Sequence, residues 1–67
     1  FKESNPLTHK EQVVLREIGD NLSSKEIAEK LYLSDGTVRN YTSNIIDKLN
    51  AENRFNAWKK AKEKGWI

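Results

Sequence analysis

The chain has no cysteine, no methionine and a single proline. Without thiols, neither a disulfide nor a cysteine-held metal can staple it, so the fold must rest on an apolar core and on well-capped helices. A thiol-free chain also suits the cytoplasm. His9 is the one histidine. With no second histidine or cysteine to share a metal, it is read as a surface residue; no metal and no cofactor are expected. The same shortage leaves no nucleophile–base–orienter set, so no catalytic residue is assigned and the chain is not read as an enzyme. Its three glycines form no phosphate-cradling loop. No apolar run approaches the roughly 20 residues of a membrane span, and no signal-peptide pattern is present, so no membrane partner is expected. The chain starts at Phe1 rather than at methionine, and it reads as a piece cut from a longer protein whose missing part precedes Phe1. Residues 1–6 are polar and end in the proline, which suits an interdomain linker and leaves 7–67 as the domain.

What is present fits one small domain of 67 residues. A chain of this size buries only about 60% of the surface it exposes when unfolded. Its stability should be on the order of 3–10 kcal/mol. The net charge is +2, unevenly spread. Residues 1–35 carry five Lys/Arg against seven Asp/Glu, and residues 36–67 carry seven against three. The basic second half fits an anionic partner as well as it fits a solvated, lysine-rich last helix.

Helix-start signals divide the chain. Thr8 and Glu11 have capping-box spacing, and Val14, Leu15 and Ile18 follow at helical period; Asp20-Asn21 is the stop. A first helix is expected over 8–19. Ser23 and Glu26 form a second capping box, with Leu22 and Ile27 spaced as a hydrophobic staple, which predicts a helix over 24–31. Residues 31–41 are ambiguous. Asp35-Gly36 between β-prone runs is a hairpin signal. Against it, Ser34 can cap, and Val38, Tyr41, Thr42, Ile45, Ile46 and Leu49 recur as on a helix. The adjacent Ile45-Ile46 breaks strand alternation, so a helix over 35–49 is favoured, stopped by Asn50. Asn53 opens a last helix, 53–64, ended by Gly65 with Trp66 folding back onto Ala61. Lysines 59, 60, 62 and 64 suit the negative end of that helix. The fold class is all-α, a four-helix bundle. Its expected core is Leu15, Ile18, Ile27, Ala28, Leu31, Val38, Ile45, Leu49, Ala57 and Trp58.

The second and third helices are joined by Tyr32-Leu33-Ser34 alone, which is helix-turn-helix spacing. Ala28 must be small because the third helix passes close by, with Val38 against it. With Val38, Thr42, Ile45 and Leu49 turned inward, the other side of that helix shows Gly36, Arg39, Asn40, Ser43, Asn44 and Asp47. Arg39 can fork onto guanine, Asn40 onto adenine, and Ser43 can serve either. Gly36 lets backbone approach DNA closely. Ser24, Lys25, Thr37, Tyr41, Asn44 and Lys48 are candidates for phosphate contacts around this face. Lys25 and Lys48 fit plain solvent exposure equally well, and Tyr41 fits a half-buried core position. Glu11 and Arg54 are a candidate ion pair. Phe55 is either a core-edge residue, the reading favoured here, or an exposed one kept for a dimer partner.

The ordered run Leu7-Thr8, Glu11, Val14-Leu15, Ser24-Lys25-Glu26-Ile27-Ala28, Leu33-Ser34, Thr37-Val38-Arg39, Lys48-Leu49, Asn53-Arg54 and Ala57 resembles the LuxR-type helix-turn-helix domain. That domain is the output module of NarL/FixJ-type bacterial response regulators and of quorum-sensing regulators. The resemblance implies sequence-specific binding of double-stranded DNA as part of a bacterial transcriptional (two-component response) regulator. It implies base contacts from Arg39, Asn40 and Ser43 and phosphate contacts from Lys25, Thr37 and Tyr41. It implies a homodimer on DNA through the last helix, with Phe55 and Lys59 as interface candidates. It also implies an N-terminal receiver or sensor domain elsewhere in the full-length protein, with RNA polymerase as a further partner. Five departures stand out. Tyr41 replaces a common histidine and Arg39 a commoner lysine. Asn21 and Asn50 stand where glycine is usual. Ala51 replaces a larger aliphatic residue and leaves the core less filled there. The competing function is a helical protein-interaction module that docks a receiver domain or RNA polymerase without reading bases.

Overall fold

The computed structural model describes residues 4–67; the first three residues of the expected linker lie outside them. Four helices follow one another: α1 (His9–Gly19), α2 (Ser24–Leu31), α3 (Asp35–Leu49) and α4 (Arg54–Lys64). The hairpin alternative at Asp35-Gly36 is overturned, since both residues lie in the first turn of a continuous helix. The boundaries match expectation except that Thr8 and Asn53 stand outside their helices as caps. A capping residue keeps an extended backbone while its side chain takes a free amide of the first turn. Thr8 Oγ1 accepts from Glu11 N at 3.2 Å, and Glu11 Oε1 accepts from Thr8 N at 2.8 Å. Ser23 and Glu26 repeat the reciprocal pair at 3.2 and 2.9 Å. Asn53 Oδ1 accepts from Asn56 N at 2.9 Å.

All four helices end in the same way. A left-handed residue stands just beyond each one, directly after α2, α3 and α4 and, past Asp20, one residue later after α1, and the next amide reaches back five residues. The left-handed residues are Asn21 (φ 66°), Tyr32 (φ 58°), Asn50 (φ 51°) and Gly65 (φ 73°). The returning bonds are Leu22 N to Glu17 O, Leu33 N to Ala28 O, Ala51 N to Ile46 O and Trp66 N to Ala61 O, at 3.4, 2.9, 3.0 and 2.9 Å. Asparagine and glycine tolerate this conformation; tyrosine does so only against steric resistance. Tyr32 is the terminator that composition did not betray.

Each amphipathic helix turns its apolar stripe to one core of Leu7, Val14, Leu15, Ile18, Ile27, Ala28, Val38, Ile45, Leu49, Ala57 and Ala61. The helix α1 packs on α3 and α4, and α2 packs chiefly on α3. Two residues expected in the core are only half-buried. Leu31, at the end of α2, lines an open groove with His9, Lys10, Val13 and Leu33. Trp58 lies across α1 at Gly19, where a Cβ would overlap the indole Nε1 and approach Cε2 to 2.5 Å. Gly19 is therefore the space that the tryptophan occupies. The chain ends also meet: Asn5 Nδ2 donates to Trp66 O at 3.2 Å, and Asn5 Oδ1 accepts from Leu7 N at 2.9 Å. The residue that reads as linker thus anchors the entry to α1. Among the described residues, no helix is long and apolar enough to cross a membrane.

Candidate nucleic-acid interface

The turn between α2 and α3 sets the attitude of α3. Tyr32 reverses the backbone and puts its own ring in solvent, 95% exposed, while Leu33 tucks against the core. Ser34 then starts α3: its Oγ accepts from Thr37 N at 3.1 Å and lies 2.7 Å from Thr37 Oγ1. From this start α3 buries Val38, Ile45 and Leu49, with Tyr41, Thr42 and Ile46 half-buried beside them. The Thr42 hydroxyl is satisfied locally by Val38 O at 2.8 Å. The opposite side is open. Gly36, Arg39, Asn40, Ser43, Asn44 and Asp47 are all exposed, and a Cβ at Gly36 would meet nothing. The three residues expected to read bases are thus brought onto one exposed face by the helical period.

That face holds an ion pair that the sequence reading overlooked. Arg39 Nη2 lies 2.9 Å from Asp35 Oδ2, with the arginine side chain 72% exposed. Their spacing of four residues within a helix was the available signal. Around the face, Lys25 is exposed at the start of α2, Asn44 is exposed on α3, and Ser24, Thr37 and Tyr41 are half-buried.

Lys48, expected at a phosphate, also takes part in an ion pair within the fold. Its Nζ lies 2.7 Å from Glu11 Oε1, the one buried carboxylate among the described residues. Lys48, near the end of α3, takes the place at Glu11 that Arg54 was expected to fill. Burial is the largest single influence on Glu11 and pushes its carboxyl up. The Lys48 hydrogen bond, the Thr8 amide and the Lys48 charge together outweigh it and hold the group below the ordinary value. The lysine holds this pair on the side of α3 facing α1 while 38% of its side chain stays exposed.

On α4, Phe55 is 55% exposed and not at the core edge. Its ring lies 5.7 Å from that of Trp58, and Lys62 Nζ sits 5.7 Å from the Trp58 ring. Lys59 is exposed nearby. Lys60 does not serve its own helix end as expected. Its Nζ donates to Leu49 O and Asn50 O at 3.2 and 3.0 Å and so caps α3 from α4.

Comparison with known proteins places this arrangement. The family model described as "Bacterial regulatory proteins, luxR family" matches residues 5–61. The transcriptional regulatory protein DesR of Bacillus subtilis (strain 168) is 48% identical over 67 residues, which is all of this chain and 34% of DesR. The response regulator ChrA, from a heme-sensing two-component system, superposes with a TM-score of 0.88 at 30% identity over 98% of this chain and 33% of its own. The transcription factor GerE superposes with a TM-score of 0.85 at 33% identity, over 94% of this chain and 92% of GerE. The chain thus spans about a third of the length of DesR and ChrA and nearly all of GerE. With its helix-turn-helix, its exposed third helix and these matches, the chain belongs to the luxR family of bacterial regulatory proteins and is one of the family's DNA-binding domains.

Proposed function

We propose that α3 enters the major groove and reads bases through Arg39, Asn40 and Ser43, as the output module of a cytoplasmic bacterial transcription regulator. The observation that carries this reading is the joint exposure of those three side chains on a helix whose other side is locked into the core. Each has the donor and acceptor pattern for a base edge: a fork for guanine, an amide for adenine, a hydroxyl for either. Ser24, Lys25, Thr37, Tyr41, Asn44 and Lys48 supply phosphate contacts that set the register without reading sequence. Catalysis has no part in the proposal.

A net charge of +2 makes one copy a weak binder. Two copies therefore associate through α4, with Phe55 and Lys59 at the interface, and sit on half-sites about one helical turn apart. The whole regulator carries a receiver or sensor domain N-terminal to this one and engages RNA polymerase. A titration with duplex DNA at several salt concentrations tests the reading. If each monomer neutralises about three to five phosphates, log K falls with log[salt] at a slope near −3 to −5. A flat salt response, or no binding to any duplex, overturns it.

One observation favours a second reading, a module that docks a receiver domain or polymerase by protein contact alone. Phe55 leaves more than half of a large apolar ring in solvent beside Trp58. Stoichiometric binding of a protein partner together with no DNA affinity would favour that reading.

A further inference from the structure

Asp35 is the only acidic residue in the N-terminal half of α3. A carboxylate there suits the positive end of the helix dipole. It is poorly placed for a surface that must approach phosphates. Two details go beyond dipole stabilisation. Asp35 Oδ2 holds Arg39 Nη2 at 2.9 Å. Its other oxygen, Oδ1, is shielded from solvent and accepts no hydrogen bond among the described residues. A carboxylate oxygen without a donor is satisfied most simply by a second guanidinium N–H, in the two-pronged form that arginine favours.

We propose that Asp35 is a positioning residue for Arg39 and sets how strongly the domain discriminates its own site from other DNA; this rests on the base-reading role of Arg39 given above. A guanidinium has five donors. With one edge of the fork held by Asp35, the remaining edge is still able to meet the two acceptors of guanine. Held in this way, the side chain loses less rotamer freedom on reaching the base. On unmatched DNA the same arginine must leave Asp35 to reach a phosphate, and the carboxylate left behind repels the backbone. Asp35 thus penalises non-specific binding more than specific binding. An exposed pair is weak in water, so the effect is a few-fold, strengthened where DNA excludes solvent.

The test uses the 67-residue chain. A preferred duplex is selected from a randomised pool, and its affinity is compared with that of a scrambled duplex of equal length. The proteins are the unaltered chain, Asp35→Asn, Asp35→Glu, Arg39→Ala and the double variant Asp35→Asn/Arg39→Ala. Asp35→Asn should tighten binding to the scrambled duplex about three- to tenfold and change the selected one less than twofold. Asp35→Glu, which keeps the pairing at a spacing of four residues, should restore most of the lost discrimination. In the Arg39→Ala background, Asp35→Asn should shift both duplexes by one common factor, the effect of removing a charge. Helix content is followed by circular dichroism, and Asp35→Ser repeats the measurement if Asp35→Asn loses helix. Equal tightening on both duplexes with Arg39 present overturns the proposal. So does a loss of discrimination that persists without Arg39. Failure of the underlying reading shows separately, as Arg39→Ala weakening both duplexes alike.

Discussion

Glu11 Oε1 receives both the Thr8 amide, at 2.8 Å, and the Lys48 ammonium, at 2.7 Å, so one buried carboxylate caps α1 and ties it to the end of α3. Its carboxyl is held below its ordinary value. A group more acidic in the folded chain than in the unfolded one stabilises the fold above the unfolded value, about 4.3 for glutamate. That stabilisation is lost as pH falls through the lower, folded value. Thermal melts of the unaltered chain should therefore lose more between about pH 5 and pH 3 than melts of Glu11→Gln. Parallel curves for the two proteins would contradict this account.

The two partners are not equivalent. Lys48→Met leaves a buried carboxylate without its counter-charge, whereas Glu11→Gln leaves a lysine that can turn to water. Lys48 is 38% exposed, so water can partly replace it. The expected loss is about 1–3 kcal/mol for Lys48→Met, less than for a fully buried pair. Chemical denaturation of both variants at pH 7 measures it, and a Lys48→Met loss under about 0.5 kcal/mol would reduce the pair to a surface contact.

Gly19→Ala would stabilise an ordinary helix by roughly 0.5–1 kcal/mol. Here the new methyl meets the Trp58 indole. The sign should reverse, to a loss of about 1–3 kcal/mol from overpacking. In a Trp58→Leu background the loss should largely vanish, since the two sites couple through that one contact.

Tyr32 offers the opposite case. Its left-handed backbone is strained and its ring touches little. Tyr32→Asn should raise stability by about 0.5–1 kcal/mol, or several degrees in Tm for a chain this short. A drop in Tm would mean that the ring makes a contact worth more than the strain.

On DNA, Arg39→Ala should cost about 1–3 kcal/mol on the preferred duplex and relax one base position. Lys25→Ala should weaken all duplexes alike and lower the salt slope by about 1. Competition against base-substituted duplexes separates the two. Equal losses on every duplex for Arg39→Ala would remove it from the reading set.

Local chemistry carried most of the architecture in the sequence. Capping residues, left-handed asparagines and the spacing of apolar side chains act within a few positions of themselves. They marked all four helices, the tight turn before α3 and the outward placement of Arg39, Asn40 and Ser43. Only the folded chain decided which distant groups would meet. Lys48 went to Glu11, Lys60 to the end of α3, Asn5 to Trp66 and Trp58 to Gly19. Each of these joins residues at least ten positions apart, and no periodicity reports how helices are laid against one another. The physical reason is that a side chain's neighbours along a helix follow from its rise and period, whereas its neighbours across helices follow from the shape of the whole core.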